Sequence, residues 1–71
     1  MPLVQDSSNI SQIEFDGETH VLTVVFLRDG ATYEYPMATE AMYQQFLAAP
    51  SKGRYLRSVV IAALGKGNRI A

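Results

Sequence analysis

Five consecutive residues, Ser51-Lys52-Gly53-Arg54-Tyr55, concentrate more usable chemistry than any other stretch of this 71-residue chain. Ser51 follows Pro50 and stands where it can cap a helix, so backbone N–H groups without intrahelical partners point outward beside two cations. That combination attracts anions, because the macrodipole adds partial positive charge to the full charges of Lys52 and Arg54. Gly53 would let a phosphate or another backbone approach closely. Arg57, one turn further on, extends the basic edge, with Lys66 and Arg69 beyond it. Basic residues in a first turn also oppose the macrodipole, at about 0.3–1 kcal/mol each. A plainer reading stands beside this one: Ser51 caps, Gly53 packs against the preceding helix, and both cations are solvated.

A second chemistry is stacking. Tyr33 and Tyr35 are two apart, so on a strand they project from one sheet face and can stack bases, at about 1–3 kcal/mol per base. They share that face with Val24 and Phe26, where the helices should pack, which favours core tyrosines whose hydroxyls reach the rim. On the opposite face Val21, Val25 and Leu27 form an apolar surface that suits a protein partner, or that Leu3-Val4 or Ile70 folds back to cover.

Catalytic groups are scarce. His20 is the one histidine, with no carboxylate or nucleophile beside it in sequence. Asp16 and Glu18 read as turn residues rather than an acid and base pair. No cluster has metal-ligand spacing, and Gly65-Lys66-Gly67 lacks the strand–loop–helix setting of a phosphate loop. The expectation is a protein that is not an enzyme and uses no metal or cofactor.

The elements that must hold these residues can be read from periodicity. Ile10 to Asp16 alternates, His20 to Arg28 is β-branched and apolar, and Ala31 to Tyr35 ends at Pro36. Asp29-Gly30 predicts a two-residue hairpin. Arg28 then faces Ala31, Phe26 faces Tyr33 and Val24 faces Tyr35. Closing the first turn around Gly17-Glu18 sets Ile13 opposite Leu22 and Phe15 opposite His20. One face collects Ile13, Phe15, Leu22, Val24, Phe26, Tyr33 and Tyr35 as the core side. Thr39 caps a helix from Glu40 to about Ala49, with Met42, Tyr43, Phe46 and Leu47 inward. Pro50 ends it. Ser51 starts a second helix from Lys52 to about Leu64, with Tyr55, Leu56, Val59, Val60 and Ala63 inward. The prediction is one α+β domain over residues 1–71: a three-stranded antiparallel meander with two C-terminal helices on one face. Residues 1–8 and 65–71 read as flexible termini, the latter a loose basic tail.

Composition bounds the rest. Seventy-one residues with 48% hydrophobic content support one small core. There is no cysteine, hence no disulfide framework. No apolar run reaches the roughly 20 residues of a membrane span, and the start lacks a signal-peptide pattern. A soluble, cytoplasmic protein is expected. Net charge is −1, but all the acids lie at or before Glu40, and every cation except Arg28 comes after it.

Four segments in order, Ser7-Ser8-Asn9-Ile10, Asp29-Gly30, Tyr33-Glu34-Tyr35 and Ala48-Ala49-Pro50-Ser51-Lys52-Gly53-Arg54-Tyr55, resemble the KTSC domain family. That family is named after the C-terminal end of some lysyl-tRNA synthetases and also occurs as small stand-alone bacterial and phage proteins. The match runs from about Ser7 to Leu56 and includes Tyr43. It implies the meander-plus-helices fold and a suspected RNA-binding role. The chain departs from the family pattern at Ser58 to Leu64, which is apolar where the family is basic and aromatic. Two functions are expected on these grounds. One is RNA or another phosphate-bearing partner held by Lys52, Gly53, Arg54, Arg57, Tyr33 and Tyr35. The other is a protein-interaction module, such as a phage-encoded transcription regulator docking on host RNA polymerase or the translation machinery through Val21, Val25 and Leu27.

Overall fold

Two hairpin loops of one design set the sheet. In this computed structural model, which describes residues 10–71, strand β1 (Ile10–Asp16) turns through residues 17–20 into β2 (Val21–Phe26), and β2 turns through residues 27–30 into β3 (Thr32–Tyr35). The Ser7-Ser8-Asn9 motif, the Leu3-Val4 pair and the expected N-terminal tail lie outside the described residues. In each loop the fourth residue donates its N–H to the carbonyl that precedes the loop: His20 to Asp16 at 2.8 Å and Gly30 to Phe26 at 3.0 Å. That residue is left-handed in both, with φ of 60° at His20 and 71° at Gly30. Glycine adopts this conformation freely, and histidine is among the few other residues enriched there. Aspartates complete the turns: Asp16 Oδ1 accepts the N–H of Glu18 at 2.8 Å, and Asp29 Oδ1 that of Ala31 at 3.1 Å.

Four-residue loops correct the register expected from Asp29-Gly30 and Gly17-Glu18. Val24 faces Tyr33 and Leu22 faces Tyr35; Ile13 faces Val24 and Phe15 faces Leu22. Each pairing slips by two residues, the side-chain period of a strand, so the two sheet faces keep their membership. Leu27, expected on the outer face of β2, lies in the loop instead and is 60% exposed. A bulge at Ser11, between the Ile10–Phe26 and Gln12–Val25 pairs, turns Ile10 as well as Ile13 toward the core.

The sheet has four strands, not three. Strand β4 (Asn68–Arg69) pairs antiparallel with β3, Tyr33 facing Arg69 and Glu34 facing Asn68, in the order β1-β2-β3-β4. The Ile70 N–H donates to the Thr32 carbonyl at 2.8 Å, and the Thr32 N–H to Ala71 O at 3.2 Å. Part of the segment read as a loose tail is thus laid along the edge of β3. Backbone pairing holds it, with side chains exposed from Asn68 to Ala71, so no alternating apolar pattern announces the strand.

One face of the sheet meets the helices. Leu22, Val24 and Tyr35 from the strands pack with Ala38, Phe46, Leu56 and Val60. Helix α1 (Glu40–Ala48) starts at Thr39, whose Oγ1 accepts the Met42 N–H at 3.1 Å. The second helical run has no break: α2 (Lys52–Tyr55), a π-helical turn (Leu56–Val60) and α3 (Ile61–Leu64). The wide turn, closed by the Ile61 N–H on the Leu56 carbonyl, rotates α3 about the helix axis. Ile61 and Leu64 therefore turn inward, while Val59 and Ala63 of the expected stripe are exposed.

Candidate functional site

Three of the chain's six cations border one groove. Arg28 comes from the second hairpin loop, Lys66 from the turn between Gly65 and Gly67, and Arg69 from β4. Strand parity places Arg69: it faces Tyr33 across the β3–β4 ladder, so it shares the helix-side face while Asn68 lies on the other. Lys66 is placed by Gly67, whose φ of 76° brings the chain back over the Tyr35 ring. The groove measures about 520 Å³, and its apolar wall includes Leu56 and Ile61 from the second helical run. Phe26 and Tyr33 line it edge to face, with ring centroids 5.6 Å apart and planes at 86°.

The charge of this groove is poorly compensated. Among the described residues, neither Arg28 nor Lys66 has an ion-pair or hydrogen-bond partner. Arg69 Nε donates to Ala71 O at 3.0 Å. The one acid on the wall, Asp29, already accepts the Ala31 N–H through Oδ1. Guanidinium and ammonium groups around half-buried aromatic rings have the chemistry to pair with a phosphate and to offer a base a ring face.

The residues expected to bind from Ser51 onward divide. Ser51 Oγ accepts the Arg54 N–H at 3.3 Å and caps α2. Lys52 folds back, and its Nζ donates to the Ala49 carbonyl at 2.8 Å, at the negative end of α1. Gly53 is buried, whereas Arg54 and Arg57 are exposed. The basic edge is therefore carried by Arg54 and Arg57, with Lys52 serving as a clasp between helices.

The tyrosine pair divides as well. Tyr35 is 2% exposed, covered from the helical side and by Gly67, so its ring faces are closed to a base. Burial, aided by neighbouring Tyr33, pushes its phenol above the usual value of 10.0. Tyr33 is half-buried and lines the groove. On the far face Val21 and Val25 are half-buried. Val21 borders a depression of about 680 Å³ with Glu14, Asp16 and Glu34. His20 is exposed, its ring edge-on to Phe15 at 6.3 Å. Among the described residues no group of three or more histidines or acids is placed to hold a metal ion, and no helix is long and apolar enough to cross a membrane.

Sequence reasoning left Arg28 unassigned and treated Lys66 and Arg69 as a loose extension. The signals were present but weak. Arg28 is the single cation in the acidic half, set next to a hairpin turn, and Lys66 stands between two glycines. What joins them is the β3–β4 pairing, which no side-chain pattern encodes.

The likeness to known proteins bears on the whole of this architecture. Among curated proteins none matches. The crystal structure of a KTSC domain protein from Yersinia pestis superposes with a TM-score of 0.71 and 33% sequence identity, covering 99% of this chain and 87% of that one. The model of the KTSC domain matches residues 6–62, a span that takes in both hairpins, α1 and the second helical run as far as Ala62 in α3. The chain therefore belongs to the KTSC domain family.

Proposed function

We propose that this chain is a small non-catalytic module that binds single-stranded RNA. A phosphate is held by Arg28, Lys66 and Arg69, and a base lies against Tyr33. Arg54 and Arg57 supply a further basic edge. The observation that carries this reading is the groove itself, in which Arg28 and Lys66, without partners among the described residues, converge with Arg69 and half-buried aromatic rings. With no cysteine in the sequence, a reducing, cytoplasmic setting fits. A ¹H–¹⁵N titration with short 5′-phosphorylated oligouridine at low and physiological salt tests it. Salt-sensitive shifts are expected at Arg28, Tyr33, Lys66 and Arg69, with each phosphate contact contributing about 0.7 to the salt slope. An unchanged spectrum at low salt would exclude the reading.

A rival reading places a protein partner, for example part of a transcription machine, on the far sheet face. Half-buried Val21 beside Glu14, Asp16 and Glu34, with half-buried Val25 further along the same strand, favours it. Val25→Glu abolishes that binding without unfolding the domain if this face is the interface.

A further inference from the structure

We infer that the groove is a site for one phosphorylated nucleoside unit, and that it exists in full only while the C-terminal strand is docked, so that ligand and strand hold each other in place. This rests on reading the groove as a phosphate site and adds what the ligand is and how the site is assembled.

Size points to a single unit. The groove of about 520 Å³ lies within the range of roughly 300–1,000 Å³ typical of small-ligand sites. Charge points to a terminal phosphate. Arg28, Lys66 and Arg69 face one acidic side chain, Asp29, and Arg69 Nε is also held by Ala71 O. A phosphate monoester carries about −1.5 to −2 charges, which matches that excess better than the single charge of a diester. Phe26 and Tyr33 supply the surface a base requires.

The site is built in two halves. Phe26, Arg28 and Tyr33 belong to the β2–β3 hairpin, while Lys66 and Arg69 arrive on the chain after α3. That chain is weakly held. Strand β4 has two residues, its side chains are exposed, and Ile70 is 55% exposed. A short edge pairing with little buried apolar surface belongs to the low end of local stability. When it lifts, two of the three cations leave with it. A phosphate bridging Arg28 to Lys66 and Arg69 must therefore stabilise the docked strand, and by linkage the docked strand must strengthen binding.

The test is amide exchange of the whole chain, read at the Ile70 and Thr32 N–H groups that pair across β3 and the strand. Uridine 5′-monophosphate, inorganic phosphate, uridine, and a tetrauridylate with and without a 5′-phosphate serve as probes. The nucleotide should slow exchange at both amides in proportion to 1 + [L]/Kd, up to about 100-fold at a hundredfold excess over Kd. Phosphate alone and uridine alone should do less. The tetranucleotide should act only when 5′-phosphorylated. Lys66→Gln, at an exposed position outside the strand, should fold normally and lose the ligand-dependent protection. Shifts in the groove with unchanged exchange at Ile70 would overturn the coupling. Equal binding of both tetranucleotides would overturn the terminal-phosphate assignment. Tetranucleotide shifts confined to Arg54 and Arg57 would remove this site while leaving RNA binding standing, and no shifts with any probe would remove both.

Discussion

Gly67 sits directly on the ring of Tyr35: a β-carbon there would stand 2.6 Å from Tyr35 Cε2, 2.8 Å from Cδ2 and 2.9 Å from the Glu34 carbonyl oxygen. Neither neighbour can yield, since Tyr35 is part of the core and the carbonyl belongs to β3. The left-handed φ of 76° adds a second obstacle. Gly67→Ala should therefore expel the C-terminal strand rather than repack the core. The expected cost is about 1–3 kcal/mol, limited by what docking itself contributes. In a chain of this size each kcal/mol lowers Tm by about 4–8 °C. Amide exchange separates the alternatives: protection should vanish at Ile70 and persist at Val24. Loss at both would show that the core itself had given way.

The two hairpins offer a matched comparison. Both loops end in a left-handed residue, histidine in one and glycine in the other. His20→Gly should relieve about 1–2 kcal/mol of steric strain, reduced by loss of the edge contact with Phe15 and by the greater freedom of unfolded glycine. A net gain of at most about 1 kcal/mol is expected. Gly30→Ala should cost about 1–2 kcal/mol, although nothing lies within 4 Å of the added carbon. Gly17→Ala, equally open but without a positive φ, should be neutral or slightly stabilising. Urea unfolding of the three variants gives the order directly, and an indifferent Gly30→Ala would refute the backbone explanation.

These loops also show what the sequence reveals. Alternation placed Leu22, Val24, Phe26, Tyr33 and Tyr35 on one face, and that survives because the register error is an even number of residues. Loop length could not be read from Asp29-Gly30, because a two-residue and a four-residue loop can end on the same glycine. Thr39 and Ser51 were legible as caps because hydroxyl caps have a local chemical signature. The π-turn and β4 had none. One depends on how Leu56, Val60 and Ile61 share the core, the other on main-chain bonds alone. The groove depends on β4, so it became visible only with the fold.

Tyr35 should leave a mark on the alkaline stability profile. Burial and the neighbouring Tyr33 raise its phenol above 10.0, so the folded state keeps that proton longer than the unfolded chain does. Its contribution is then fully present below pH 10 and is lost as pH rises from there through the folded value. The slope can be no steeper than about 1.4 kcal/mol per pH unit, the limit for one proton. Tyr35→Phe preserves the ring and should flatten this limb. Denaturation at pH 8, 10 and 11 decides it, because an unchanged slope in the variant would assign the alkaline loss to other groups.

Lys52 and Arg54, two residues apart, should separate stability from binding. Lys52 Nζ reaches the Ala49 carbonyl at the end of α1, so Lys52→Ala removes a charge-assisted bond favoured by the helix dipole. A loss of about 0.5–1 kcal/mol is expected, with the salt slope of RNA binding unchanged. Arg54 is exposed. Arg54→Ala should leave stability within about 0.5 kcal/mol, yet lower the slope by about 0.7 if it meets a phosphate. Thermal unfolding and affinity across a salt series give both numbers for both variants. If Lys52→Ala instead lowered the slope and left Tm alone, its ammonium would act outward on the ligand, and the first turn of α2 would regain its place as the main anion site.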